Sequence, residues 1–205
     1  MLYPVLLIKN MITAQKIILG LLPAALLLPA GCKEEDDTLL REQEDRYFEL
    51  YLASRYPDET PLPGGLYFIE FSPGTGESPG EDDWILMNFV ATEIPDNHVF
   101  NTSLENVARD NVFYSPEVLY GPYKTRVDGW VEGVSRGLQL MKEGGEAILF
   151  FQSDLGYGSA STPVGAYQSL KYEIELFEVI GDIEDYEQQR VLDYVDTIRW
   201  TDTFH

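Results

Sequence analysis

The residues of this chain best suited to chemistry are aromatic rings held beside glycines. Val127-Asp128-Gly129-Trp130-Val131-Glu132-Gly133-Val134 sets one Trp directly behind a Gly at the opening of a short helix. After an apolar strand, Ser153-Asp154-Leu155-Gly156-Tyr157-Gly158 sets a Tyr between two glycines in a loop. Runs of this kind build aromatic walls without a nucleophile. His98 and His205 are the only histidines and Cys32 the only cysteine, so a two-His metal site or a Ser-His-Asp triad has little to be built from. No metal and no cofactor is expected.

The elements that must position these rings follow from periodicity and turn chemistry. Residues 66–71 (Leu-Tyr-Phe-Ile-Glu-Phe) have strand character, residues 84–90 form a second strand, and Val99-Phe100-Asn101 forms a third after the turn Pro95-Asp96-Asn97. The turn Ser72-Pro73-Gly74-Thr75-Gly76 carries a Gly-x-Gly, but no helix follows it to supply amide donors to a phosphate. Between residues 102 and 124, Pro116 and Pro122 exclude a long helix, and Phe113, Tyr114, Tyr120 and Tyr123 point to a partly buried flap. Trp130, Val134 and Leu138 recur every four residues, which places them on one side of a short helix with Asp128 as a candidate cap, and Gly144-Gly145 ends that unit. Residues 147–151 are an apolar strand. In the last strand Leu170, Tyr172, Ile174 and Leu176 alternate with Lys171, Glu173 and Glu175, giving one buried face and one wet face.

The two ends of the chain read differently. Before Cys32 the only charges are Lys9 and Lys16, and the apolar run 17–28 is interrupted by Gly20 and Pro23. This is a secretory signal rather than a spanning helix. Residues 11–28 form a complete signal by themselves, so either Met1 or Met11 suits the start. Pro29-Ala30-Gly31-Cys32 resembles a bacterial lipobox, in which a small residue precedes a Cys that is lipidated and becomes the mature N-terminus. An ordinary signal followed by an incidental Cys is the alternative. An exported chain with one thiol can form no internal disulfide, so lipidation explains both the place and the solitude of Cys32. Lys33-Glu34-Glu35-Asp36-Asp37 is either a sorting tag for the outer face of the outer membrane or a solvated tether.

Residues 38–56 suit a helix, with Leu40, Tyr47, Tyr51, Leu39 and Leu50 as its apolar set, and Pro57, Pro61 and Pro63 stop it. A second helix over 182–200 carries the stripe Val191, Tyr194, Val195 and Ile198. That stripe either docks on the body or on the 38–56 helix, or serves a partner or a second copy, and the oligomeric state is left open. The net charge is −21. Loss of Lys9 and Lys16 with the signal makes it more negative still, so nucleic acid and anionic lipid surfaces are poor partners. About 170 residues remain, enough for one domain with a real core.

Taken in order, the Ser-Pro-Gly-x-Gly turn, Val-Phe-Asn-Thr-Ser, Val-x-Gly-Trp-x-x-Gly, Ser-Asp-Leu-x-Tyr-Gly and the final Tyr-Glu-Ile-Glu-Leu strand resemble an FKBP-type peptidyl-prolyl cis-trans isomerase over residues 66–180. The resemblance implies an α+β fold, an antiparallel sheet curled around one short helix, with helices added at both ends. It divides the chain into a signal peptide (1–32), an acidic tether and helix (33–65), the FKBP-like domain (66–180) and a helical extension (181–205). It also puts Trp130 at the floor of a pocket, Val127 just before it, Phe100 on a wall, and the Tyr157 hydroxyl on a substrate carbonyl. Tyr172 matches a final-strand aromatic, Val164 an aliphatic on the preceding loop, and Phe89 the aromatic ending the second strand. Asn101 stands where active members carry Asp, and Phe89 lacks the hydroxyl of their Tyr. Each of these residues would equally suit a plain core. The function so implied is isomerisation of X-Pro bonds in exported proteins by an enzyme lipid-anchored to the outer membrane, on its periplasmic side or at the cell surface. The alternatives are a non-catalytic module that holds Pro-containing chains, and a surface lipoprotein that stacks glycans on Trp84, Trp130 or Trp200.

Overall fold

Alternating apolar residues on strands and apolar stripes on helices can be buried together only where sheet and helix share a face. In the computed structural model, which describes residues 32–202 and the side chains of 37–198, the order is α1 (Cys32–Arg55), β1 (Tyr67–Ser72), β2 (Trp84–Ile94), β3 (His98–Thr102), α2 (Glu105–Asp110), β4 (Tyr123–Arg126), α3 (Glu132–Leu140), β5 (Gly145–Phe151), β6 (Ser169–Ile180) and α4 (Ile183–Asp202). Single 3-10 turns lie at Val127–Gly129 and Ser153–Leu155. The strands form one antiparallel sheet in the order β1-β5-β6-β2-β3, with β4 paired to the first part of β2. This is the α+β architecture the resemblance implies. The signal sequence lies outside the described residues, as does the Cys32 side chain.

The period of two decides which residues meet α3. Met87 and Phe89 of β2, Leu149 and Phe151 of β5, and Tyr172 of β6 turn to one face and share a core with Val134 and Leu138 of α3. Two glycines let the helix lie directly on that face. A Cβ at Gly133 would stand 2.5 Å from the Phe151 ring, and one at Gly137 would stand 2.3 Å from a Leu149 methyl. Trp130, expected on this helix, lies before it in extended backbone (φ −115°, ψ 170°). Nor does Asp128 cap α3. Arg126 holds its carboxylate through Nε at 2.8 Å and Nη2 at 2.7 Å, and Val131 occupies the cap position with no side-chain bond.

The opposite face of the sheet is covered by α1. Glu44, Phe48, Tyr51 and Leu52, spaced i, i+4, i+7, i+8, are buried. Phe48 meets Tyr67 edge-on with centroids 5.7 Å apart, and Tyr56 lies 4.8 Å from Phe150. The expected set is therefore only partly inward: Tyr51 is buried, whereas Leu39, Leu40, Tyr47 and Leu50 face solvent. The outward rings and aliphatics of β1 and β5 select the Phe48 side of the helix. β2 also runs past Phe89 to Ile94, because Ile94 joins this second core and the Tyr51 hydroxyl donates to Asn97 Oδ1 at 2.9 Å in the following turn. At the Ser72–Gly76 turn, the amides of Thr75 and Gly76 both donate to the Glu143 carbonyl, which uses them structurally.

The flap between β3 and β4 contains the short α2 and the stacked pair Tyr114 and Tyr120, 5.5 Å apart. Its tip is more open than expected, with Leu119 97% exposed. The apolar stripe of α4 is largely open to solvent: Val191 is 60% and Tyr194 68% exposed. The first turn of α4 is tied down by Tyr186 to Glu178 at 3.2 Å and by the Lys124–Glu187 ion pair.

Candidate functional site: an aromatic cradle between sheet and helix

A break in strand alternation assembles one wall of the site. Between β2 and β3, Thr92 pairs with Val99 but Ala91 pairs with Asn101, so Phe100 is the extra residue of a β-bulge. Directly opposed residues share a face, and Ala91 belongs to the α3-side core. The bulge thus lets two consecutive residues, Phe100 and Asn101, address the α3 side, which a regular strand forbids. Phe100 packs on the core from its edge while Asn101 stays exposed at the rim.

Thr102 and Ser103 lock this geometry. The Thr102 hydroxyl donates to the Phe89 carbonyl at 2.8 Å, and the Phe89 N–H donates to Ser103 Oγ at 3.0 Å. Neither residue stood out in the sequence as more than part of a motif. Their signal was a pair of adjacent hydroxyls two residues after the strand aromatic Phe100. Ser135 plays a matching part on the other side, donating to the Val127 carbonyl at 2.7 Å and so fixing the turn that presents Trp130.

The rings converge on Tyr172. Its centroid lies 6.2 Å from both Trp130 and Phe100, 6.5 Å from Phe89 and 5.8 Å from Phe151. Trp130 meets Phe89 edge-on at 4.9 Å, and Phe100 meets Tyr157 edge-on at 6.4 Å. Val127 and Val164 are buried in the same cluster, and Trp130, Phe100 and Tyr157 pack on it half-buried. Seven of the eight residues singled out in the sequence therefore belong to one core or pack against it, with Asn101 exposed at its rim, although Phe89 sits within β2 rather than at its end.

Burial, with the Tyr157 hydroxyl beside it, raises the pKa of the Tyr172 phenol well above the ordinary tyrosine value. Trp130 Nε1 is buried and has no hydrogen-bond partner among the described residues. The result is a surface of neutral rings with hydroxyls on one side, able to strip water from an apolar ligand and to offer it a phenol donor. An open depression of about 350 Å³, lined by Phe71, Leu104, Glu146, Glu173 and Glu175 among others, also touches Phe89 but not Trp130, Phe100, Tyr157 or Tyr172.

The sequence matches the family model for FKBP-type peptidyl-prolyl cis-trans isomerase over residues 76–177. It is 32% identical over 120 residues to the outer membrane protein MIP of Legionella longbeachae, a match covering 58% of this chain and 46% of that protein. To the macrophage infectivity potentiator of Trypanosoma cruzi it is 30% identical over 153 residues, covering 73% of this chain and 70% of the other. It is 28% identical over 151 residues to the FKBP-type isomerase FkpA of Escherichia coli, where the match spans 50% of that protein's length. This chain thus spans about half the length of two of these relatives. The crystal structure of E. coli FkpA superposes with a TM-score of 0.57 at 26% identity, covering 72% of this chain and 62% of that one. A Pseudomonas syringae isomerase superposes at 0.55 and 24% identity over 70% and 95%, a likeness of fold. With its motifs, sheet order and relatives in agreement, the chain belongs to the FKBP-type peptidyl-prolyl cis-trans isomerase family.

Proposed function

We propose that this protein isomerises X-Pro peptide bonds, with Trp130, Phe100, Tyr157 and Asn101 acting on the substrate and Phe89, Val127, Val164 and Tyr172 shaping the pocket. The observation that carries this reading is the convergence of Trp130, Phe100 and Phe89 on Tyr172, with Tyr157 against Phe100. An X-Pro bond turns over a barrier of roughly 18–20 kcal/mol because the twisted form loses amide resonance. The twisted amide is less charge-separated than the planar one. A dry aromatic cradle therefore favours the transition state over the ground state, and only that difference accelerates a reaction. The Tyr157 hydroxyl would hold a substrate carbonyl while the prolyl ring sits over Trp130. No acid, base or metal enters this scheme.

Asn101 favours a second reading, a module that holds Pro-containing chains without turning them over, because it keeps an acceptor at the rim but lacks the charge found in active family members. A protease-coupled assay on an Ala-Leu-Pro-Phe-type peptide separates the two. Acceleration over buffer by the wild type supports catalysis, with Asn101→Asp changing it little if desolvation dominates. Peptide binding at the buffer rate, restored to turnover by Asn101→Asp, would favour the holding module. A glycan platform has less support, since Trp130 meets its neighbours edge-on and Trp84 is half-buried in β2. The Trp200 side chain lies outside the described residues.

We further infer export with a lipid anchor at Cys32 and folding assistance to exported proteins, a reading supported by the lipobox-like sequence and by the name of the Legionella relative. No helix among the described residues is long and apolar enough to cross a membrane. Mass spectrometry of the mature protein tests the anchor: a lipid-modified Cys32 at the N-terminus is expected, and an unmodified residue there removes the idea.

A further inference from the structure

Glu44 is a buried carboxylate that lies outside the aromatic cradle, on a helix that does not line it. It is 7% exposed. Its Oε1 accepts the Ser153 N–H at 2.6 Å and the Ser169 hydroxyl at 2.8 Å, and its Oε2 accepts the Ser153 hydroxyl at 2.7 Å. Burying a carboxylate is unfavourable unless its oxygens are well satisfied. Three short charge-assisted bonds answer that requirement, and two of them end on one residue.

Ser153 is the hub of the turn that carries Tyr157. Its carbonyl accepts the N–H of Gly156 and the N–H of Gly158, both at 2.9 Å, so the residues on either side of Tyr157 hang from the residue that Glu44 grips. The neighbouring turn of α1 reinforces the hold. Gln152 Nε2 donates to Asp45 at 2.6 Å, Arg41 pairs with Asp154 at 3.0 Å, and the Arg41 guanidinium lies 4.7 Å over the Tyr167 ring. The Tyr167 N–H in turn donates to the Gly158 carbonyl at 2.8 Å. Three consecutive residues, Gln152, Ser153 and Asp154, together with Tyr167 and Ser169, are thereby referenced to one face of α1.

We propose that Glu44 is a positioning residue for Tyr157, and that α1 acts as a clamp setting the phenol against the substrate from the far side of the sheet. The clamp rests on the isomerase reading for its effect on rate, but its mechanical part can be measured without turnover. A small misplacement of a group that orients substrate weakens catalysis far more than it weakens the fold.

The test is a double-mutant cycle in the full chain, reading kcat/KM on the Ala-Leu-Pro-Phe peptide beside amide hydrogen exchange at Gly156 and Gly158. Glu44→Ala is expected to lower kcat/KM about tenfold and Glu44→Gln, which keeps shape and an acceptor oxygen, by no more than about threefold. In a Tyr157→Phe background the Glu44→Ala loss shrinks to less than about twofold, because the group being positioned is gone. Exchange at Gly156 and Gly158 accelerates at least about tenfold in Glu44→Ala. Equal losses in both backgrounds, or unchanged exchange at the two glycines, would overturn the proposal. Should Glu44→Ala fail to fold, Ser153→Ala and Ser169→Ala, each deleting one of the bonds, take its place in the cycle with the same criteria. A wild type without turnover overturns the isomerase reading instead, and the exchange arm then judges the clamp alone.

Discussion

Two long helices flank the sheet in sequence, and they behave oppositely. Both carry apolar residues at helical spacing, yet Phe48 of α1 is 4% exposed while the residues of the α4 stripe stand in solvent. The difference lies in what each helix meets. The α1 face is matched by outward rings on β1 and β5 and by buried hydroxyl and amide donors at Ser153 and Ser169, so packing and polar bonds agree on one register. α4 leaves the end of β6 and is held at its first turn by Tyr186 and Glu187. An amphipathic stripe announces that a helix could be covered. Complementary groups on the receiving surface decide whether it is.

Perturbing the two helices in parallel breaks or sharpens this contrast. Phe48→Ala should destabilise the fold by about 3–5 kcal/mol in urea unfolding, since it empties a ring site against Tyr67 of β1; a loss within that of a surface substitution would mean α1 is not part of the cooperative unit. Gly137→Ala, which drives a Cβ into Leu149, should lower stability by about 1–3 kcal/mol and test the opposite layer. A pH titration reports on the buried tyrosines. The pKa values of Tyr172 and Tyr51 are raised chiefly by burial, so above the ordinary tyrosine value near pH ~10 the unfolded chain releases protons that the native state keeps. Stability is therefore full below that pH and falls as pH rises, by up to about 1.4 kcal/mol per unit for each such proton. Tyr172→Phe should flatten the slope. At the small end, Val191→Ser with Tyr194→Ser should shift stability by no more than about 0.5 kcal/mol. A larger shift would reveal a covered α4.

Much of the fold was legible because β5 is a continuous apolar run, because β6 follows simple alternation and because Trp130 and Tyr157 stand beside glycines that few other arrangements require. What escaped depended on contacts distant in sequence. Glu44 reads as one acid among many until Ser153 and Ser169 are placed around it. The bulge at Phe100 leaves no local mark beyond a short strand, and β4 is too brief and too polar to show a period. Trp130 lies before α3 rather than on it for a related reason: fourfold spacing to Val134 and Leu138 mimics a helix face, while the Ser135 and Arg126 bonds that fix the turn preceding α3 involve residues outside that pattern.

The central claim, that neutral rings closed beneath by one indole turn a prolyl bond, is tested most directly by isomerase kcat/KM of the wild type beside Trp130→Leu and Tyr157→Phe, with folding of each checked by thermal unfolding. The account predicts acceleration over buffer by the wild type, loss of about tenfold or more in Trp130→Leu, and a smaller loss in Tyr157→Phe. A wild type at the buffer rate, or folded variants as fast as the wild type, would contradict it.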